Sequence, residues 1–318
     1  MEIAIIDSTS TARLEAKVKE LCDFATSPNP GESAGLTPAL VIEICTLAAQ
    51  HFRNQSSLLE IATNVEGENP HNLVIFGDLH GNLKSLGQIL QNNGSPNKNT
   101  KYLGLGDYVS RGSHSVEVFV LLMGLAVLHP TQVFLLRGGH ESQAIAKVYG
   151  FQEELTHKGL NTPEVREAFW TVFNHLPLAA VVNNKYFCVH GGISPALLNT
   201  AAPLDVIRNK VRGQDVPEEG LITDLLYADP LAEPAEGFQM NPRGIGQCFG
   251  RDVLQQFLTV SNLKALVRSR EYIRTGFNSV WDNTILNVFS SCNYMRGDEP
   301  TGFYKLEPTG ELQGHLTQ

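Results

Sequence analysis

Five residues of this chain are carboxylates or imidazoles that fall where apolar runs end: Asp78, His80, Asp107, His140 and His190. Carboxylate and imidazole together suit Mn, Fe or Zn. One carboxylate shared by two ions about 3.5–4 Å apart would let the pair clamp a phosphoryl group and activate water. Each of the five follows a short apolar run. Leu73-Val74-Ile75-Phe76 leads into Gly77-Asp78-Leu79-His80-Gly81, and Tyr102-Leu103-Gly104-Leu105 into Gly106-Asp107-Tyr108-Val109-Ser110-Arg111-Gly112. Val133-Phe134-Leu135-Leu136 leads into Arg137-Gly138-Gly139-His140-Glu141, and Tyr186-Phe187-Cys188-Val189 into His190-Gly191-Gly192. Glycines beside the polar groups permit tight turns and close backbone approach. One Gly-Asp or His-Gly alone reads as a turn, and a lone histidine as a satisfied core residue. Several in regular order, each ending an apolar run, are far more specific.

The apolar runs are strand-length, and helix-spaced segments near 82–92 and 114–128 lie between the first three. That alternation predicts an α/β core whose buried strands present ligands at their carboxyl ends. Further strands are expected at Ala265-Leu266-Val267, Ile285–Phe289 and Gly302-Phe303-Tyr304. Upstream, 11–26 and 37–52 carry helical apolar spacing, separated by a Pro/Gly/Ser loop at 27–33. A polar stretch at 66–72 closes this helical segment. No repeat, low-complexity tract or linker divides the rest, which reads as one compact domain.

Bulk properties narrow the function classes. The 318 residues are 42% hydrophobic, enough for a packed core. No apolar run reaches the length of a membrane span. The start has no basic region before a long apolar stretch, as a secretory signal would, and Glu2 breaks the myristoylation pattern. The net charge of −9, without a basic block, argues against nucleic acid or an anionic membrane as partner. Cys22, Cys45, Cys188, Cys248 and Cys292 are dispersed, without C-x-x-C. They read as reduced thiols of a cytoplasmic or nuclear protein.

With these motifs the chain resembles the phosphoprotein phosphatase family, the Ser/Thr phosphatase catalytic domains of the type-one and type-2A group. The family pattern G-D-x-H-G, G-D-x-V-D-R-G, G-N-H-E and H-G-G stands here as G-D-L-H-G, G-D-Y-V-S-R-G, G-G-H-E and H-G-G. The likeness continues through Leu225-Leu226-Tyr227-Ala228-Asp229-Pro230, Asn241-Pro242-Arg243-Gly244 and Phe289-Ser290-Ser291-Cys292-Asn293-Tyr294. It implies an α/β fold of the calcineurin-like metallophosphoesterase type, a central β-sandwich flanked by helices in one compact domain. The implied domain spans 35–306, with an N-terminal helical extension at 1–34 and a short C-terminal tail at 307–318. The resemblance implies that Asp78, His80 and Asp107 hold a first metal, with Asp107 bridging, and that His190 holds a second. It makes Arg111 and Arg243 the phosphate-holding arginines, His140 the proton donor to the leaving group, and Tyr294 a residue of the cleft rim. Regulatory or scaffold proteins and phosphoproteins are the implied partners.

Three positions depart from the family pattern. Gly139 stands where the family has an asparagine ligand of the second metal. Arg270 stands where it has a histidine ligand. Ser110 replaces the aspartate that orients the proton-donating histidine. After His190 the next histidine is His315, so no shift of register near 270 recovers a ligand. Glycine offers no donor atom, and arginine is a permanent cation without an acceptor lone pair. The expectation is therefore at most one divalent metal (Mn, Fe or Zn) at the first site and none at the second. The guanidinium of Arg270 is expected in the second metal's place, paired with Asp107. The function expected is that of a pseudophosphatase, a scaffold or phosphoprotein-binding module with negligible turnover. Its alternatives are a weakened one-metal Ser/Thr phosphatase and an active one using other ligands.

Overall fold

The computed structural model describes residues 8–27, 31, 34–63, 72–234, 236–295 and 297–317. The expected polar stretch at 66–72, apart from Asn72, and most of the 27–33 loop lie outside the described residues. Ten α-helices are described: α1 Ser8–Ala25, α2 Pro38–Arg53, α3 Leu83–Asn93, α4 Ser115–Leu128, α5 Gln143–Val148, α6 Phe151–His157, α7 Pro163–His175, α8 Pro203–Arg208, α9 Leu221–Tyr227 and α10 Arg251–Val260. The strands in chain order are β1 Leu58–Ile61, β2 Asn72–Phe76, β3 Thr100–Gly104, β4 Val133–Leu135, β5 Ala179–Val182, β6 Tyr186–Val189 and β7 Asp229–Pro230. They continue as β8 Phe238–Met240, β9 Gln247–Phe249, β10 Ala265–Arg268, β11 Phe277–Val280, β12 Ile285–Val288, β13 Gly302–Leu306 and β14 Leu312–Leu316.

Two mixed sheets, ordered β1-β5-β6-β10-β12-β11 and β14-β13-β2-β3-β4, face one another; a small third sheet pairs β7, β9 and β8. Leu73, Ile75, Leu103 and Tyr304 of one large sheet and Ile61, Val182, Cys188, Val267 and Val288 of the other share one buried cluster. These short β-rich runs are apolar on nearly every residue because helices cover their outer faces. Phe76, Tyr102 and Val133 pack with α1, α2, α4 and α7 on one side. Phe187, Leu266 and Ile285 pack with α9 and α10 on the other. The result is the expected β-sandwich flanked by helices. Helix α4 is apolar around its whole circumference and accordingly buried. No helix among the described residues is long and apolar enough to cross a membrane.

Both chain ends differ from the expected extension and tail. Leu14, Val18 and Leu21 of α1 are buried in the same core as α2 and α4, so this helix is part of the domain's packing. Leu312–Leu316, within the segment expected as a tail, is an edge strand pairing antiparallel with β13. His315 stacks on Phe303, ring centroids 5.5 Å apart, which gives the strand a ring contact on a sequence poor in apolar residues.

The parallel strands β2, β3 and β4 of one sheet and β6, β10 and β12 of the other all send their carboxyl ends to the same edge of the sandwich. A bridge between Asp78 and Phe289 joins the sheets there.

Candidate metal centre

The loops after β2, β3, β4 and β6 bring Asp78, His80, Asp107, His140 and His190 together. Ligand atoms of His80, Asp107 and His140 lie within 4.8 Å of one another, and so do those of Asp78, Asp107 and His190. His80 Nε2 is 3.5 Å from Asp78 Oδ2 and 3.9 Å from Asp107 Oδ2, while His190 Nε2 is 3.4 Å from Asp107 Oδ1. Asp107 sits at the centre of both groups, as a bridging carboxylate must.

The charges are mutually adapted. Burial works against a charge on His80, but Asp78 and Asp107 outweigh it and raise the pKa above the ordinary histidine value. His190 is raised in the same way, chiefly by Asp107. Burial opposes ionisation of Asp107, yet His190 and His140 hold it well below the usual carboxylate range. A cation entering this cleft therefore displaces protons as it binds.

The backbone is bent to present these groups. His80, Asp107, Ser110, Arg111 and Arg270 all have left-handed φ, between 47° and 75°, although none is glycine. Such conformations cost on the order of 1–3 kcal/mol each and persist where surrounding bonds over-determine them. Glu141 supplies many of those bonds. It is fully buried and accepts from the N–H groups of Asp107 and Tyr108, both at 2.8 Å, and of Gly138 and Val109 at 3.0 and 3.3 Å. Burial pushes its carboxyl up to about 7, against the pull of these donors. Arg137, also buried, bonds the Glu141 carbonyl through Nε at 2.9 Å and thereby anchors the loop.

The three departures have distinct structural consequences. A Cβ at Gly139 would lie 2.7 Å from Tyr227 Cε1, so the Tyr227 ring covers the place from which a side chain would extend. The Tyr227 hydroxyl donates to the Gly139 carbonyl at 2.6 Å. Arg270 does not pair with Asp107 as expected. Its Nε donates to the Tyr227 carbonyl at 2.9 Å and lies 3.3 Å from Asp229 Oδ1, with the guanidinium 5.0 Å from the Tyr227 ring centroid. Asp229, which also meets Arg268 and Arg243, is the carboxylate beside which Arg270 comes to lie. At the third position, His140 Nδ1 and Ser110 Oγ are both buried without a hydrogen-bond partner. Burial accordingly drops the His140 pKa to about 4, leaving the imidazole neutral at pH 7.

The remaining expected residues ring this centre. Arg111 lies over Tyr149 and Tyr294, 5.0 and 5.9 Å from their centroids. Tyr294 stacks on His80 at 5.3 Å, and Tyr149 meets His140 at 5.3 Å. Arg243 Nε is 3.3 Å from Asp229 Oδ2.

Residues 71–269 match the model of the calcineurin-like phosphoesterase family. The serine/threonine-protein phosphatase 4 catalytic subunit of Kluyveromyces lactis is 36% identical over 254 residues, 80% of this chain and 77% of that one. The chain belongs to the calcineurin-like phosphoesterase family, in its phosphoprotein phosphatase branch. A solved Saccharomyces cerevisiae protein serine/threonine phosphatase, described as similar to human phosphatase PP5, superposes with a TM-score of 0.81 at 30% identity over 89% of this chain and 90% of that one. A cold-active protein-tyrosine phosphatase from Shewanella shares the fold, with a TM-score of 0.55 at 13% identity over 85% and 84% of the two chains.

Metallophosphoesterases use divalent metal, and the residues present fit one. His190 Nε2 is fully buried, unpartnered by any hydrogen bond, and 3.4 Å from Asp107 Oδ1, while His190 Nδ1 is spent on the Leu105 carbonyl at 3.1 Å. A buried acceptor held this way is the usual state of a ligating histidine. Sequence reasoning passed over Glu141, Tyr227 and Asp229. Glu141 was visible as part of a motif, but its service to four N–H groups was not. For Tyr227 and Asp229 the one signal was their place in the Leu225–Pro230 segment.

Proposed function

We propose that this phosphatase-like chain binds phosphorylated serine/threonine proteins with little or no turnover, as a pseudophosphatase serving scaffold or competitor roles. The observation that carries this reading is the disposition of Arg270. It is pinned beside the second-metal position by Tyr227 and Asp229, while Gly139 offers no donor. A second ion there would have Asp107 and His190 as protein ligands and a fixed cation as neighbour. Asp78, His80 and Asp107 would hold one Mn, Fe or Zn ion, whose chemistry is Lewis-acid polarisation of a phosphoryl oxygen. His140, neutral and without its orienting carboxylate, is poorly equipped to protonate a leaving alkoxide. Arg111 and Arg243 retain bidentate chemistry for a phosphate. Regulatory proteins are the proposed partners, in the cytoplasm or nucleus, in keeping with the dispersed cysteines.

The test is a metal count on the purified protein together with a phosphomonoester assay in added Mn. Zero or one ion per chain and no turnover is expected. Turnover that Asp107→Asn abolishes would overturn the reading. It would favour the second one, a weak one-metal Ser/Thr phosphatase, which the preserved grouping of Asp78, His80 and Asp107 supports.

A further inference from the structure

Arg270 does more than keep a cation out. Its side chain is only 9% exposed. Its Nε is spent on the Tyr227 carbonyl and Asp229, whereas Nη1 and Nη2 have no hydrogen-bond partner among the described residues. The Arg270 backbone N–H donates to Asp78 Oδ1 at 3.1 Å, which sets the residue in the wall of the candidate metal cluster. Arg243 lies across the same carboxylate, with Nε 3.3 Å from Asp229 Oδ2 and the side chain 52% exposed.

Arg268, the third arginine of the group, is different in kind. It is fully buried, and its donors are consumed by the carbonyls of Gly191 and Ala228, by Asn287, by Glu271 and by Asp229. Three guanidinium groups thus meet two carboxylates, Asp229 and Glu271. The positive charge left over belongs to Arg243 and Arg270. Asp229, itself held ionised against burial by these arginines, keeps like charges side by side.

We propose that Arg270 and Arg243 form a metal-independent fork for a phosphomonoester dianion, the phosphate of a phosphoserine or phosphothreonine side chain. Arg270 is the new arm, placing permanent charge beside the spot where this fold would otherwise have an ion. Guanidinium matches phosphate oxygens in pairs and keeps its charge at any working pH. It contributes no nucleophile, so binding is separated from hydrolysis. The inference rests on the reading that the second metal is absent.

The experiment is calorimetric titration of the full chain in EDTA, first with inorganic phosphate, then with a phosphoserine peptide and its unphosphorylated form. Phosphate and phosphopeptide are expected to bind, and the plain peptide not. Arg270→Gln is expected to weaken both about tenfold or more, the loss typical of one charge-assisted hydrogen-bonding group. Arg270→Lys, which keeps charge but loses the fork, is expected to fall between, and a thermal melt of each variant checks folding. Absence of phosphate binding in EDTA, binding that appears only with Mn, or unchanged affinity in folded Arg270→Gln and Arg270→Lys would each overturn the fork. The metal count separates this from the broader reading. Two ions per chain overturns the loss of the second site, whereas one or none with no phosphate binding in EDTA overturns the fork alone.

Discussion

At the scale of single residues, the site is decided by which polar atoms have partners. Glu141 accepts four backbone N–H groups and is the hub of the loops carrying Asp107 and His140. Glu141→Gln would set an amide donor against some of those donors. It is expected to cost about 1–3 kcal/mol, as an unsatisfied buried polar group does, and to reduce bound metal. Chemical denaturation and elemental analysis measure the two effects. His140 and Ser110 make the opposite case, two buried polar atoms left unpartnered. Ser110→Asp is expected to raise the His140 pKa from about 4, because a carboxylate favours the imidazolium. An NMR titration of the imidazole follows it, and an unmoved pKa would show that position 110 does not govern His140. The cluster of Asp78, His80, Asp107, His140 and His190 was legible because their types and glycine neighbours are visible in linear motifs. The partner of Arg270 was not, because Asp229 lies 41 positions upstream and only the fold brings it beside Arg270.

Elements set how closely these loops can be held. Helix α1 docks where two glycines remove the side chains in its way. A Cβ at Gly87 of α3 would lie 2.0 Å from the Ala25 carbonyl oxygen, and one at Gly124 of α4 would lie 2.4 Å from Val18 Cγ2. Gly87→Ala meets rigid backbone and is expected to destabilise by about 1–3 kcal/mol, as overpacking does. It should also make α1 more open to proteolysis, read as a lower denaturation midpoint and faster N-terminal cleavage. Helices α1 to α3 were legible from apolar spacing and their flanking turn residues, and α4, apolar all round, from its length between two strand-length runs. Strand β1 was not, because four residues give too short a window for a period. Strand β14 was hidden because its alternation of Leu, Gln, Gly and His has little apolar signal, and its place comes from pairing with β13.

For the molecule as a whole, the chain end helps hold the two sheets together. Glu311, just before β14, pairs with Lys185 at 2.6 Å, accepts from the Tyr186 hydroxyl at 2.9 Å and meets Lys264. Lys185, and with it Lys264 and Tyr186, hold its carboxyl at about 2. A carboxyl whose folded pKa is depressed stabilises the fold above its usual unfolded value. That contribution is lost as pH falls from about 4.5 toward about 2. Glu311→Gln should therefore lower the melting temperature at pH 7, with the gap to the parent closing toward pH 2. The group is half-exposed, so screening keeps the effect within about 1 kcal/mol. Equal melting curves at pH 7 would show that the contact contributes nothing.

By itself the amino-acid sequence determined the family, through motifs that resemble it, and with the family the β-sandwich and its helical flanks. The motifs that carry the resemblance are local in the chain, and the sandwich is what that resemblance implied. The chemistry of the residues at 139 and 270 was equally plain, since a glycine or an arginine states its own. Only the tertiary structure decided what surrounds Gly139 and Arg270. The Tyr227 ring covers Gly139, and Asp229 rather than Asp107 takes Arg270. Those choices depend on competition among charges and on space shared by segments far apart in the chain. Such competition exists only once the strands have brought their ends to one edge.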